Sequence, residues 1–247
     1  MSSPQLAGQV ALVTGAGTGL GRQCAIAIGE AGASVILVGR TEKSLYETAE
    51  LMRSRSAAAP QVCRCDVTRD DEVDRLFDAL PRCDILINNA GRNVPQPFVD
   101  VRPETLDEMI QLNVRAVFRV AQAAARKMSR QHTGIIVNMS SQMGHIGAAC
   151  RSAYCMTKHA VEGLTKALAV ELGPQGIRVN SLAPTYVETP LTRPFLSDPT
   201  FRADALRRIP LGRMAQPRDV AEAAIFLITA PMITGISLLV DGGYTAQ

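Results

Sequence analysis

Several features that would place this chain in other classes of protein are missing from its sequence. The six cysteines form no CxxC pair, and the three histidines are scattered without the spacing of metal ligands. No apolar run reaches the roughly 18 residues that a membrane-spanning helix needs, and the first residues lack the basic stretch of a secretory signal. We therefore expect a soluble, cytoplasmic protein with reduced thiols and no bound metal.

Charge of one sign is also scarce. The formal net charge is only +3 and is spread along the chain, which gives no reason to expect binding to nucleic acid or to a membrane. What the sequence does have is a composition typical of globular proteins, with 47% hydrophobic and 20% charged residues. A chain of 247 residues with this composition can bury a large core.

Short apolar runs alternate with longer amphipathic stretches along the whole chain. The runs are typical of strands covered on both faces, and they are Val10–Val13, Val35–Val38, Val62–Cys65, Ile85–Ile87, Ile135–Met139, Val179–Leu182 and Ile236–Val240. Helical patterns cover residues 19–31, 42–56, 70–80, 104–130, 152–172 and 216–229. The alternation predicts an α/β fold, a Rossmann-type doubly wound parallel sheet of about seven strands with helices on both faces.

The predicted organisation is a single domain over residues 1–247, because no linker, repeat or low-complexity tract interrupts the alternation. The segment 185–217 departs from this rhythm, with five prolines and no clear periodicity. A long stretch of this kind is typical of a binding loop or lid, so we predict a substrate lid there. A surface insertion is the alternative interpretation.

A glycine-rich turn, TGAGTGLG, directly follows the first predicted strand and opens a helix. Glycines allow the backbone to approach a pyrophosphate, whose charge is met by the N-terminus of the helix. Because a strand precedes the turn and a helix follows it, a nucleotide site is favoured over a simple tight turn.

The end of the second predicted strand bears on which nucleotide binds. A carboxylate there would bind the ribose 2′-hydroxyl of NAD, but this sequence has Gly39 followed by Arg40. A guanidinium can bind a 2′-phosphate, so NADP(H) is favoured and NAD(H) remains possible. Thr18 weakens the preference, because it brings no second cation from the glycine loop.

Tyr154 and Lys158 stand four residues apart in a predicted helix and so lie on one face, one turn from each other. An ammonium held over a phenol favours the phenolate, so the pair can act as an acid or base near neutral pH. Asn113 lies in an inward-facing stripe with Val117 and Val120, where an unsatisfied amide would cost about 1–3 kcal/mol. Taken alone, the pair could be a core-edge tyrosine beside a solvent-reaching lysine, and the asparagine could bond backbone at a helix distortion.

From about residue 6 to its end, the chain resembles the short-chain dehydrogenase/reductase family, including its 3-oxoacyl-ACP reductase-like and polyol dehydrogenase-like members. The motifs that carry the resemblance stand in family order and are TGAGTGLG (Thr14–Gly21), Asp66, NNAG (Asn88–Gly91), Asn113, Ser140–Ser141, Tyr154–Lys158, RVNSLAP (Arg178–Pro184), VET (Val187–Thr189) and VDGG (Val240–Gly243). Each motif is weak alone, but the complete set is specific. One departure is Thr185, where the family usually has a glycine that adopts positive φ more easily.

The resemblance implies an NAD(P)-dependent oxidoreductase acting on CH–OH donors, which reduces a carbonyl to a secondary alcohol or catalyses the reverse. The implied catalytic residues are Asn113, Ser141, Tyr154 and Lys158. In the family the tyrosine exchanges the proton, the lysine lowers its pKa and holds the nicotinamide ribose, the serine hydrogen-bonds the substrate oxygen, and the asparagine holds a water in the proton relay.

The resemblance also implies which residues hold the cofactor and the substrate. The implied cofactor-binding residues are Gly15, Gly17, Thr18, Gly19, Leu20, Gly21, Arg40, Asp66, Val67, Asn89, Ala90, Gly91, Tyr154, Lys158, Pro184, Val187 and Thr189. The implied substrate contacts are Asn93, Gln142, His145 and Tyr186.

The identity of the small-molecule carbonyl or alcohol substrate stays open at this stage. A 3-oxoacyl thioester is slightly favoured, because one basic stripe could dock an acyl carrier protein; it consists of Arg115, Arg119, Arg126 and Arg130. The stripe could equally be a solvated face or a subunit contact. A sugar or polyol is the close alternative, and a non-catalytic cofactor-sensing protein is a remote one. The C-terminal VDGGYTAQ resembles that of tetrameric members, so a homotetramer is expected.

Overall fold

The computed structural model describes residues 5–55, 59–190 and 192–247. Seven strands form one parallel sheet in the order β3-β2-β1-β4-β5-β6-β7. The strands are β1 (Val10–Thr14), β2 (Ser34–Gly39), β3 (Gln61–Arg64), β4 (Ile85–Asn88), β5 (Gly134–Met139), β6 (Ile177–Pro184) and β7 (Ser237–Val240). All seven predicted runs are strands, and the predicted fold class is confirmed. The strand order reverses between β1 and β4, which is where sheets of this kind bind ligands.

Helices connect the strands as the amphipathic patterns predict. They are α1 (Gly19–Glu30), α2 (Glu42–Arg53), α3 (Asp70–Ala79), α4 (Pro103–Ile110), α5 (Ala116–Gln131), α6 (Ser152–Leu172), α7 (Arg193–Leu196), α8 (Pro199–Arg207) and α9 (Pro217–Thr229). The last residue of the helix predicted over 42–56 lies outside the described part of the chain. No helix in the described ranges is both long and apolar enough to cross a bilayer.

The core lies on both faces of the sheet because successive residues of a strand point to opposite sides. In β4, Ile85 and Ile87 pack with the apolar residues of α1, α2 and α9. Leu86 between them packs on the other face with α3, α5 and α6. This two-sided burial explains why the strand runs are almost wholly aliphatic.

The helix predicted over 104–130 is in fact interrupted. A π-helical turn over Gln111–Arg115 separates α4 from α5. The interruption is invisible in the sequence, because the apolar stripe of α5 continues the pattern seen before it. Such turns are frequent at functional sites, and Asn113 lies within this one.

The segment 185–217 contains two short helices that periodicity did not predict, α7 and α8. Both begin with a proline in the first helical positions, where the missing N–H has no helical partner to lose. Asp198 caps α8 by accepting hydrogen bonds from the backbone N–H groups of Thr200 (2.8 Å) and Phe201 (3.3 Å). The segment has its own apolar cluster, formed by Leu196, Ala205, Ile209 and Met214. That it serves as a lid remains a prediction.

Candidate active site

A cavity of about 370 Å³ lies at the carboxyl ends of the strands, where β1 and β4 are neighbours. Most of the residues predicted to bind a cofactor line it, namely Gly15, Thr18, Gly19, Leu20, Arg40, Asp66, Val67, Asn89, Ala90, Gly91, Tyr154, Lys158, Pro184, Val187 and Thr189. Of the residues predicted to be catalytic, Ser141, Tyr154 and Lys158 are part of its wall. Residues far apart in the sequence are thus brought together around one space.

The glycine loop suits a phosphate group, because its conformation and close packing favour glycine. Gly15 and Gly19 adopt positive φ angles of 65° and 55°, a conformation that other residues rarely take. Gly17 and Gly21 are not on the cavity wall. A Cβ at Gly17 would collide with Ser44, and one at Gly21 with the carbonyl oxygen of Gly15. These two glycines therefore allow the loop to pack closely.

The helix that the loop opens is prepared for an anion. Helix α1 has no side-chain cap at Thr18 and no acidic residue in its first turn. Its first N–H groups are therefore free to bind phosphate oxygens at the positive end of the helix dipole. Loop and helix together fit a dinucleotide.

The far end of the cavity carries charges suited to the adenosine end of such a nucleotide. Burial acts to raise the pKa of Asp66, but hydrogen bonds from Thr68 and the charge of Arg40 outweigh it, so that pKa lies below its usual value. Asp66 is therefore ionised, with Oδ1 accepting from the Thr68 N–H at 3.0 Å and hydroxyl at 2.8 Å. Arg40 is exposed on the cavity wall directly after β2.

Tyr154 and Lys158 lie on one face of α6, with the ammonium 5.6 Å from the centre of the phenol ring. Burial has the largest effect on the pKa of each residue. Burial raises the pKa of Tyr154 to about 12, against an opposing effect of the Ser141 hydroxyl. Burial also lowers the pKa of Lys158 to about 8, opposed by Glu162. Lys158 Nζ donates to the Met139 carbonyl at 2.7 Å. That the lysine lowers the pKa of Tyr154 stays a prediction.

Asn113 does not line the cavity, but its side chain joins two segments beside it by hydrogen bonds. Its Oδ1 accepts from the Arg92 N–H at 2.9 Å, and its Nδ2 donates to the Arg92 carbonyl at 2.8 Å and to Thr157 Oγ1 at 3.2 Å. Thr157 in turn donates to the Tyr154 carbonyl at 2.8 Å. The alternative interpretation, an asparagine that bonds backbone at a helix distortion, thus describes its contacts; a role in a proton relay remains a prediction.

The four residues predicted to contact the substrate are not part of the cavity wall. His145 Nε2 lies 2.8 Å from the Ser237 hydroxyl and 3.3 Å from the Glu162 carboxylate. Tyr186 packs edge-on against the rings of Phe201 and Tyr244. Asn93 and Gln142 are close in sequence to wall residues and each holds a buried amide oxygen without a partner. The wall itself includes other residues of these segments, namely Arg92, Ser140, Thr185 and Thr192.

Buried polar atoms without a hydrogen-bond partner are concentrated beside this part of the cavity. In the described ranges they are Asn93 Oδ1, Gln96 Oε1, Ser140 Oγ, Gln142 Oε1, Arg151 Nε and Thr185 Oγ1. All six belong to segments 93–96, 140–151 and 185, which adjoin Ser141 and Tyr154. Sequence reasoning missed Arg151. The available signal was an arginine one turn before Tyr154 with no acidic residue within four positions.

The basic stripe on α5 and the π-helical turn is partly neutralised within the chain. Arg115 forms an ion pair with Asp70, and Arg119 pairs with Asp70 at 3.3 Å and with Asp74 at 3.2 Å. Both acids belong to α3. The expected continuous basic surface is therefore reduced to its distal half, at Arg126 and Arg130.

Comparison with known proteins agrees with this geometry. A sequence profile described as "Enoyl-(Acyl carrier protein) reductase" matches residues 15–245. The L-xylulose reductase of Bos taurus is 40% identical over 98% of this chain and 98% of its own. A short-chain type dehydrogenase/reductase from Mycobacterium marinum superposes with a TM-score of 0.92 at 39% identity, over 98% of this chain and 97% of its own. A gluconate 5-dehydrogenase from Burkholderia cenocepacia in complex with NADP and tartrate gives 0.94 at 33% identity, over 99% and 98%.

Proposed function

The chain belongs to the short-chain dehydrogenase/reductase family, and from this premise we propose that it reduces a short ketose to the corresponding polyol, with NADP(H) as preferred cofactor. It is an NAD(P)-dependent oxidoreductase that interconverts a carbonyl compound and a secondary alcohol. Its substrate, its cofactor preference and the roles of its residues are the parts that we propose.

The observation that carries the choice of substrate is the set of unpaired polar atoms beside Ser141. Five of the six are oxygens able to accept a hydrogen bond, and two of these five, in Ser140 and Thr185, belong to residues of the cavity wall. Leaving one such oxygen unpaired in a protein interior costs about 1–3 kcal/mol. A polyhydroxylated substrate supplies hydroxyl donors along its chain, whereas the tail of an acyl thioester supplies none. Sugars and polyols therefore move ahead of 3-oxoacyl thioesters, which reverses the order expected from the sequence.

Two further observations also favour sugars and polyols over 3-oxoacyl thioesters. The basic stripe that would dock an acyl carrier protein is half neutralised by the acids of α3, so little charge remains to steer an acidic partner. The relatives named above act on a ketose, L-xylulose, and on gluconate, a sugar acid.

The roles of the side chains follow from where charge develops. Bound NADP(H) supplies the hydride. Ser141 and Tyr154 offer hydroxyl donors to the substrate oxygen as it becomes negative, which stabilises the transition state. With its pKa at about 12, Tyr154 holds its proton at neutral pH and is in the state needed to donate it in the direction of reduction.

Lys158 and Asn113 help to position Ser141 and Tyr154. Lys158 is fixed by its hydrogen bond to the Met139 carbonyl, so its ammonium end is held between β5 and the cavity. Asn113 fixes Arg92 and, through Thr157, the first turn of α6. We assign to Asn113 a positioning role; that it also holds a water in the proton relay stays a prediction.

The preference for NADP(H) rests on Gly39 and Arg40 at the end of β2. The site has no carboxylate there to repel a 2′-phosphate, and Arg40 can bind one. A related enzyme contains NADP. Thr18 contributes no charge, so the preference depends on Arg40.

We also propose that the protein is a cytoplasmic homotetramer. Large apolar side chains are exposed on α5 and α6, at Phe118, Met156 and Val170, and exposed apolar surface of this kind is typical of subunit interfaces. Light scattering of the purified protein measures the state directly.

The decisive experiment compares carbonyl substrates with both cofactors. We expect NADPH oxidation with L-xylulose or D-fructose, slower oxidation of NADH, and no turnover of acetoacetyl thioester. Tyr154→Phe should lower kcat by about 10²–10⁴-fold, because it removes the proton donor. It should leave NADPH affinity nearly unchanged, because the glycine loop, Arg40 and Lys158 are all retained.

Other outcomes would point elsewhere. Turnover of the thioester alone would restore the 3-oxoacyl assignment. Tight NADPH binding without turnover of any carbonyl would indicate a cofactor-sensing protein. Near-normal turnover by Tyr154→Phe would remove that residue from the mechanism.

A further inference from the structure

We propose that Arg151 forms an anion subsite of the active site, and that the preferred substrate is a hydroxylated keto acid whose carboxylate pairs with this guanidinium. The inference rests on the proposed function, since it names the class of ketose that the same site takes.

Arg151 is a buried charge that forms no ion pair within the described ranges. It is 8% exposed, and in the described ranges its side chain makes a single hydrogen bond, from Nη1 to the Cys150 carbonyl at 3.3 Å. Its Nε has none. The other buried charged residues each have a hydrogen bond of 2.8 Å or shorter, and they are Asp84, Lys158, Glu162 and Asp241. A buried ion in this state is costly, so such groups are normally paired.

Arg178 shows how this fold satisfies an arginine that has only a structural role. Its guanidinium donates to the Leu227 and Ile228 carbonyls at 2.7 and 2.6 Å, where helix α9 ends, and to the Ile233 carbonyl at 3.3 Å. Arg151 has no comparable set of acceptors, although it is the more deeply buried of the two. We infer that its unused donors are paired when a ligand binds.

Arg151 is not among the residues that line the 370 Å³ cavity, but it adjoins one of them in the chain, the catalytic Tyr154. Arg151 is the N-cap residue of α6, one turn before Tyr154, and the helix has neither a side-chain cap nor an acidic residue in its first turn. The positive end of a long helix therefore adds to the charge of the guanidinium. Above it lies the ring of Phe195 in α7, with its centre 5.0 Å from the guanidinium carbon.

In the part of the chain that the structure describes, no carboxylate is among the groups that act on Arg151. The titratable groups that act on Arg151 are the phenols of Tyr186 and Tyr154 and the thiols of Cys150 and Cys155, and burial lowers the pKa of the arginine against their effect. A guanidinium remains protonated even so. Its planar fork matches a carboxylate, which can accept two parallel hydrogen bonds. A carboxylate on the substrate would thus supply the missing partner.

The test uses six-carbon substrates that differ in charge. With NADPH, kcat/KM is measured for 5-keto-D-gluconate, D-fructose and D-fructose 6-phosphate in the wild type, Arg151→Met, Arg151→Lys and the control Arg126→Met, which changes an exposed arginine of α5. The readout is the ratio of kcat/KM for 5-keto-D-gluconate to kcat/KM for D-fructose. We expect this ratio to fall by about tenfold to hundredfold in Arg151→Met, to be partly kept in Arg151→Lys, and to be unchanged in Arg126→Met.

A measurement without turnover separates this inference from the proposed function. Tartrate should raise the melting temperature of the wild type through binding, whereas erythritol, its uncharged counterpart, should not, and Arg151→Met should abolish the tartrate effect. If no ketose is reduced but the tartrate effect depends on Arg151, the function fails and the subsite stands. An unchanged ratio in Arg151→Met, or a preference confined to the phosphate ester, would overturn the carboxylate assignment.

Discussion

The two sides of the cavity satisfy their polar groups in different ways. On the nucleotide side, formed by the glycine loop and the ends of β1 and β4, the Thr14 hydroxyl accepts from the N–H groups of Asn89 (2.8 Å) and Ala90 (3.0 Å). Asn89 Nδ2 donates back to the Thr14 carbonyl at 2.9 Å. The substrate side, formed by residues 92–97, 140–151 and 185 onward, holds all six unpaired polar atoms of the described ranges.

This difference indicates how each ligand is recognised. The nucleotide side offers backbone N–H groups at a helix end, which are arranged by the fold before any ligand binds. The substrate side offers side-chain atoms whose partners the ligand must supply. The first arrangement suits a cofactor shared by many enzymes, and we propose that the second selects the carbonyl compound.

The substitution with the largest expected effect on this comparison is Thr14→Val. Valine keeps the shape of threonine but leaves two amide N–H groups without their acceptor, so the free energy of unfolding should fall by about 2–4 kcal/mol. Urea unfolding followed by circular dichroism measures the change. A loss below about 1 kcal/mol would mean that the nucleotide side is not held by these hydrogen bonds.

The second test concerns Lys158, which stands where the two sides meet. Its pKa is about 8 in the folded protein against 10.5 as an ordinary value. Below pH 8 the lysine is protonated in both states, whereas between pH 8 and 10.5 the unfolded chain keeps a proton that the folded protein releases. The contribution of Lys158 to the free energy of unfolding should therefore rise by about 2–3 kcal/mol between pH 8 and 10. The buried thiols of Cys24, Cys65 and Cys83 act in the opposite direction above pH 9, because burial raises their pKa to about 12. The rise is therefore measured as the difference in the free energy of unfolding between the wild type and Lys158→Met.

Lys158→Met should lack this rise, and Lys166→Met, at an exposed position of the same helix, should keep it. The window stops at pH 10 because Tyr154 acts in the opposite direction above it. Its pKa is raised from 10 to about 12, so its contribution is complete below pH 10 and is lost as the pH approaches 12. Parallel curves for the wild type and Lys158→Met would show that the lysine is not desolvated as its burial implies.

The sequence predicted those parts of the candidate site that consist of one contiguous stretch of backbone. The glycine loop, the strand before it and the helix after it stand together in the chain, so their placement around the cavity could be predicted. The π-helical turn at Gln111–Arg115 could not, because a single extra residue in a turn leaves the apolar stripe nearly intact.

The substrate side was harder to predict, because the burial and the partners of its residues depend on loops that are distant in the sequence and meet only in the folded structure. The spacing of Tyr154 and Lys158 correctly gives a shared face, but it does not give the burial that sets their pKa values. Similarly, Arg151 is an ordinary arginine in the sequence and becomes unusual only when its partners can be counted. The position of His145 beside Glu162 and Ser237 depends on the contact between α6 and β7, which no local pattern reveals.

The smallest expected effect on stability is that of Thr185→Val. It makes the same chemical change as Thr14→Val, but on the substrate side of the cavity, so the two substitutions compare the two sides directly. The Thr185 hydroxyl is buried without a partner, so removing it should leave stability unchanged or raise it by up to about 1 kcal/mol, opposite in sign to Thr14→Val. Ketose reduction should weaken a few-fold, because the substrate loses one acceptor. Equal destabilisation by both substitutions in urea would contradict the distinction, since it would mean that the substrate side, too, is satisfied from within the chain.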